Sequence, residues 1–150
     1  MDETDRKIIE LLAEDSRRAL ADIGAVVGLA PSSVNERIRR LTASGAIRRF
    51  TVDTDPAALG LPMLVYLWLA LREDADEAAF RRFAASHRRV LECHHVTGAW
   101  SYLVKLRVGA VTEIESVLAE LKAGRFLGRS ETVIVLSSAV GGPHVPAPGV

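Results

Sequence analysis

Apolar positions recur at helical spacing three times in the first fifty residues. Ile8, Ile9, Leu11 and Leu12 form one stripe, which predicts a helix capped by Asp2 and ending near Asp15, with acids in the first turn where the helix dipole favours them. A second, shorter helix over 19–27 presents Leu20, Ile23, Val26 and Val27 to the same core and stops at Gly28, a residue that accepts positive φ. Pro31 then opens a third helix, since its missing N–H would be unpaired at the first helical position anyway. That helix runs through Ser44 to a stop at Gly45, with Val34, Ile38 and Leu41 spaced by four and three along one buried stripe.

The pattern changes after Gly45. Residues 46–52 alternate enough to predict a strand that carries Arg48 and Arg49, a wing or arm, and 53–62, with Pro56, Gly60 and Pro62, reads as a linker. Beyond it come a long apolar strand (63–71), an amphipathic helix (76–88), two strands (90–96 and 100–108) joined across Thr97, Gly98 and Ala99, a second helix (111–122) and a β-branched strand (132–140). The order β-α-β-β-α-β is the ferredoxin-like pattern, an antiparallel sheet with both helices on one face. The fold class is therefore α+β, with a (winged) helix-turn-helix unit over 1–52, a ferredoxin-like unit over 63–140 and a flexible tail over 141–150. Met63 to Leu71 is apolar on both faces, so the uncovered side of the sheet calls for a second subunit.

Charge sharpens the reading of the third helix. The formal net charge is zero, yet 17–50 holds seven arginines (Arg17, Arg18, Arg37, Arg39, Arg40, Arg48, Arg49) against Asp22 and Glu36, a local net of +5. At about 100° per residue, Ser32, Glu36, Arg39 and Ala43 lie opposite the buried stripe, with Asn35 at one edge and Ser33 and Arg40 at the other. A helix that enters the major groove needs short hydrogen-bonding residues near base edges and arginines for guanine or phosphate. A solvated helix face looks the same in isolation; the preceding short helix and turn favour the DNA reading. Arg37 lies beside the buried stripe and has two readings, a phosphate contact or an ion pair with an acid of the first helix.

The remaining composition removes other classes. A single cysteine, Cys93, and an acidic rather than basic N-terminus predict a cytoplasmic protein with no disulfide, and the apolar run 59–71 is too short to span a bilayer. Cys93 and His95 share a strand face while His94 points away, so at most two of this run could bind one metal ion, and no further pair of ligands is evident. There is no phosphate-cradling glycine loop and no nucleophile-base-orienter set, so neither enzymatic activity nor a cofactor is expected.

The stretches DRKIIELLAEDSRR, GLAPSSVNERIRRLTASGAI and ECHHVTGAWSYLVKL resemble the Lrp/AsnC family, the feast/famine regulatory proteins, in order and spacing. The resemblance implies a DNA-reading helix-turn-helix, a ligand-binding ferredoxin-like domain, dimers built through that domain with higher assemblies of dimers, and amino acids or related metabolites as effectors. It places the effector at Thr97, Gly98, Ala99, Trp100, Ser101 and Tyr102, with Ser137 near the end of the chain. Double-stranded DNA, a small-molecule effector and further copies of the chain are thus the expected partners.

Three departures from the family pattern stand out, one of them the run Ser137, Ser138 and Ala139 where a basic residue often follows the last strand, serines that can still bond a polar ligand. Ala30 replaces the usual serine before Pro31 and removes a helix cap worth roughly 1 kcal/mol. Ser101 replaces a common aspartate that holds an effector's amino group, and a neutral hydroxyl makes a weaker bond to an ammonium than a carboxylate does. Gly98 serves either a ligand's close approach or only the hairpin turn, and Trp100 and Tyr102 either line a pocket or pack the sheet. Two other classes fit parts of the pattern: an enzyme resembling sirohaem decarboxylases, with His94 or His95 in its pocket, and a metabolite-binding scaffold whose DNA head has lapsed.

Overall fold

The computed structural model describes residues 1–144, so the expected tail lies partly outside the described residues. The chain divides into two compact units, Met1–Val52 and a second beginning at Asp53.

In the first unit, α1 (Glu3–Glu14), α2 (Leu20–Val27) and α3 (Pro31–Ala43) enclose Ile8, Leu11, Leu12, Ile23, Val34 and Leu41. The Asp2 carboxylate accepts from the Asp5 N–H at 2.8 Å and that of Asp5 accepts from the Asp2 N–H at 3.2 Å, a reciprocal cap on α1. The turn after α2 depends on two glycines. Gly28 has φ 71°, while Gly24 sits where a Cβ would lie 2.4 Å from the Leu29 carbonyl oxygen. The Leu29 N–H donates to the Gly24 carbonyl at 3.0 Å, so the chain folds back directly over Gly24. Ala30 caps α3 with no side-chain hydrogen bond, and Pro31 stands at the first helical position, as the sequence indicates.

The wing does not form. Residues 46–52 contain no strand; Ile47 donates its N–H to Leu41 O at 3.1 Å and packs on the helical core, and 48–52 continue as exposed coil. A lone extended segment has no ladder partner within this unit, and an alternating pattern alone cannot supply one.

The second unit contains β1 (Met63–Leu71), α4 (Glu77–Ser86), β2 (Val90–His95), β3 (Tyr102–Val108), α5 (Val111–Ala123) and β4 (Leu127–Ile134). The strands form one antiparallel sheet in the order β2-β3-β1-β4, the ferredoxin-like arrangement. Val65, Leu67 and Leu69 of β1 and Val104, Leu106 and Val108 of β3 point to one face, against Phe80 and Ala84 of α4 and Ile114, Val117 and Leu121 of α5. By alternation Leu64, Tyr66, Trp68, Leu103 and Val133 point to the other face, which no helix covers, and they are only partly buried or exposed.

Three boundaries differ from expectation. The last strand is Leu127–Ile134, not 132–140, because its length is set by β1: Leu71 pairs with Leu127 and Val65 with Ile134. Ser137 therefore lies past the strand, exposed. The hairpin strands end at His95 and begin at Tyr102, leaving Val96–Ser101 as a wider turn with Gly98 at φ 103°. The segment from Gly141 is not free throughout: His144 is 4% exposed, its N–H donates to Asp53 at 2.6 Å, and its carbonyl accepts from the Thr54 N–H and hydroxyl, each at 2.9 Å. The expected linker and tail are thus bonded to each other.

Candidate DNA interface and ligand-binding turn

Helix α3 buries Val34 and Leu41 and leaves Ser32, Ser33, Asn35, Glu36, Arg39 and Arg40 exposed. All six residues singled out on this helix therefore share its free side. Glu36 and Arg39 approach to 3.7 Å while each side chain stays 75% exposed, so the contact is loose enough to exchange for a base edge. Arg17, Arg48 and Arg49 are exposed outside the helix, and Arg18 bonds Glu14 at 3.2 Å.

Arg37 takes the structural of its two readings. Its Nη1 donates to Asp2 at 2.7 Å and to Asp5 at 2.8 Å, and Arg40 Nη2 approaches both Asp5 oxygens at 3.1–3.2 Å. Asp5 is 2% exposed, and the Arg37 hydrogen bond holds its carboxyl below the ordinary range. The same bonds raise the Arg37 guanidinium. One acid of α1 thereby fixes two arginines of α3. Arg40 keeps an exposed side chain, so its guanidinium both braces the helix and borders the solvent face. The capping pair Asp2-x-x-Asp5 is legible in sequence; the bond to α3 is not, because its partners stand 32 and 35 residues away.

The turn between β2 and β3 is anchored from three sides. The Ser101 N–H donates to Leu69 O at 2.7 Å, the Ser101 hydroxyl accepts from the Leu71 N–H at 3.2 Å, and the Val96 N–H donates to Ser101 O at 3.1 Å. Arg129 of β4 lies over the Trp100 ring at 4.3 Å and donates to the Ala99 carbonyl at 3.0 Å. Thr97, Gly98 and Ala99 form the exposed tip. Sequence reading passed over Arg129, for which there was no local signal; only the pairing of β4 with β1 brings it to the turn.

Tyr102 takes a different position from the rest of the turn set. Its ring is 2% exposed, packs on Phe80 at 4.7 Å and faces the helices, while its hydroxyl donates to Glu77 at 2.5 Å and accepts from Arg81 Nε at 2.7 Å. The Tyr102 hydrogen bond is the main cause that lowers the Glu77 carboxyl, and burial raises the Tyr102 phenol. Tyr102 borders a cleft of about 570 Å³ between α4 and β2, together with Arg81, Cys93 and His95. Burial raises the Cys93 thiol, which disfavours the thiolate form. Among the described residues no group of three or more His, Cys, Asp or Glu side chains is placed to hold a metal ion. No helix among them is long and apolar enough to cross a membrane.

Comparison with known proteins agrees with this geometry. Residues 1–42 match the AsnC-type helix-turn-helix domain and residues 64–145 the Lrp/AsnC ligand binding domain. The HTH-type transcriptional regulator FL11 of Pyrococcus abyssi is 32% identical over 138 residues, covering 92% of this chain and 91% of that protein. The leucine-responsive regulatory protein of Salmonella typhimurium is 32% identical over 123 residues, covering 80% of this chain and 74% of its own. The solved structure of LrpC of Bacillus subtilis superposes with a TM-score of 0.83 at 26% identity, covering 93% of this chain and 97% of that one. Neither the decarboxylase-like enzyme nor the lapsed scaffold is favoured by these relatives, which are transcriptional regulators. The chain belongs to the Lrp/AsnC family: it is a DNA-binding transcriptional regulator with a helix-turn-helix and a ligand-binding domain, and not an enzyme.

Proposed function

We propose that two copies of the chain place their α3 helices in successive major grooves of an imperfect palindrome, with half-sites roughly 34 Å apart or a multiple of it. Ser32, Ser33, Asn35, Glu36 and Arg39 read or exclude bases, and Arg17, Arg18, Arg40, Arg48 and Arg49 hold phosphates. The observation that carries this reading is the exposed polar side of α3 opposite its buried Val34 and Leu41.

The functional division is a DNA-binding head over 1–52, a connector over 53–62, a ligand-binding and assembly domain over 63–140, and a tail from 141. The helix-free face of the sheet, with Leu64, Tyr66 and Trp68 at its centre, pairs with the same face of a second copy, because apolar strand positions left half-exposed are stabilised by burial. Such dimers assemble further. A small metabolite, an amino acid or a related compound, binds at the turn formed by Thr97, Gly98, Ala99, Trp100 and Ser101, with Tyr102 behind it; Ser137, expected in this site, lies beyond the Met63 end of β1, a strand length from the turn at the Leu69–Leu71 end, and drops out of it. Binding shifts assembly or DNA affinity through a coupling of roughly 1–3 kcal/mol. The protein acts in the cytoplasm.

The test is binding to DNA from upstream of the protein's own gene across a salt series, with and without an amino-acid mixture. Specific binding that weakens steeply with salt supports the reading, and a shift with the mixture supports effector control. Binding no stronger than to random DNA rejects it.

A further inference from the structure

We infer that the effector held at the β2-β3 turn is an organic acid without an α-ammonium group, such as a 2-oxo acid, and that Arg129 is the residue that selects it. The inference rests on the proposed ligand role of this turn and names the class of ligand it takes.

The turn Val96–Ser101 contains no acidic side chain. The charged group that the described contacts bring to it is a cation: Arg129 lies 4.3 Å above Trp100 and donates one N–H to Ala99 O, which leaves other N–H donors of the guanidinium unused. The carbonyls of Ala99 and Ser101 already accept, from Arg129 and from the Val96 N–H. The Ser101 hydroxyl accepts from the Leu71 N–H and keeps its own proton to donate. The turn thus presents a guanidinium and a hydroxyl donor beside an indole.

A carboxylate meets both donors, and a neighbouring carbonyl or hydroxyl of the ligand accepts further donation. An ammonium placed at the turn meets the like charge of Arg129, and the turn itself offers it no carboxylate. Glu131 is the acid nearest to Arg129 along β4. It points to the same face of the sheet as Arg129 but stands one step further from the turn, opposite Trp68 where Arg129 stands opposite Ala70. With Nη2 on Ala99 O, the Nε–H and Nη1 donors of Arg129 are left for two parallel bonds with a carboxylate.

The experiment compares matched pairs that differ at one carbon: 4-methyl-2-oxopentanoate with L-leucine, phenylpyruvate with L-phenylalanine, and 2-oxoglutarate with L-glutamate. Titration calorimetry on the full chain is read beside fluorine NMR of the protein labelled with 5-fluorotryptophan. The chain has two tryptophans, and the Trp100 signal is assigned with Trp100→Phe. At least one oxo acid is expected to bind about tenfold or more tighter than its amino acid and to shift the Trp100 signal. Arg129→Gln should abolish that preference, Arg129→Lys should restore part of it, and Glu131→Gln should leave it in place.

Amino acids that bind as tightly as the oxo acids, or a preference that survives Arg129→Gln, overturn the inference while leaving the turn as the ligand site. Failure of every pair to move the Trp100 signal overturns the inference and the turn's ligand role together. DNA binding, measured separately, is untouched by either outcome.

Discussion

Arg37 Nη1 stands 2.8 Å from Asp5 Oδ1, and this bond ties α3 to α1 at a carboxylate 2% exposed to solvent. Asp5 is satisfied there by Arg37, by Arg40 and by the Asp2 backbone, so its removal leaves two arginines without their common anchor. Asp5→Asn should lower the melting temperature of the helical unit by several degrees and weaken DNA binding through a less firmly held α3. The effect has a sign in pH. The Asp2 and Asp5 carboxyls lie below their ordinary value of 3.8 when folded, so their contribution is fully present above that value and is lost as pH falls through the folded values. Thermal melts by circular dichroism should show a constant gap between wild type and Asp5→Asn above pH 3.8, narrowing as the pH falls below it. A gap unchanged in acid would remove Asp5 as the cause.

Arg39 and Arg49 should fail in different ways. Arg39 shares the free side of α3 with Ser32, Asn35 and Glu36, whereas Arg49 lies in the exposed coil after the helix. Arg39→Ala is expected to narrow the gap between specific and random DNA by about 1–3 kcal/mol. Arg49→Ala should weaken all DNA alike and reduce the slope of log affinity against log salt by about 0.9. Fluorescence anisotropy on both DNAs over a salt series separates the two, and identical behaviour would refute the division between base and phosphate contacts.

Gly24 is the position where helix propensity and packing oppose each other. Alanine would favour α2 by about 1 kcal/mol, yet its Cβ would lie 2.4 Å from the Leu29 carbonyl oxygen, a backbone atom that cannot swing aside, and such overpacking costs about 1–3 kcal/mol. Gly24→Ala should therefore be net destabilising in urea denaturation and reduce DNA affinity. A variant more stable than wild type would mean that the turn yields freely.

Tyr66 and Trp68 sit at the middle of the sheet's helix-free face, paired in register with Lys105 and Leu103 of β3. Replacing both by glutamate puts two charges where a second copy is proposed to dock and leaves the helix-side core of Val65, Leu67 and Leu69 intact. Light scattering should report a monomer at concentrations where wild type is a dimer, with far-ultraviolet circular dichroism unchanged. A retained dimer mass would place the interface elsewhere.

Much of this protein was readable from local pattern. Three helices, the Gly28 stop, the Pro31 start and the βαββαβ order all depend on residues within a few positions of one another, so spacing and turn chemistry suffice. The free side of α3 follows from the same periodicity, since burying Val34 and Leu41 leaves Ser32, Glu36 and Arg39 outward. What the pattern misjudged depended on a partner strand. Residues 46–52 alternate like a strand but have none to pair with, and the last strand is placed by β1 rather than by its own β-branched run.

The amino-acid sequence by itself determined the order of elements, the basic segment after Ser16 and the composition of the turn at Gly98, because each depends on neighbours along the chain. Tertiary structure alone decided that Asp5 clamps Arg37 and Arg40, that His144 returns to Asp53, that Tyr102 faces the helices and that Arg129 covers Trp100. Every pair in that second group is separated by more than twenty residues. Such contacts are worth their loop-closure entropy only once two elements have already packed, and packing is a property of the whole core rather than of any segment.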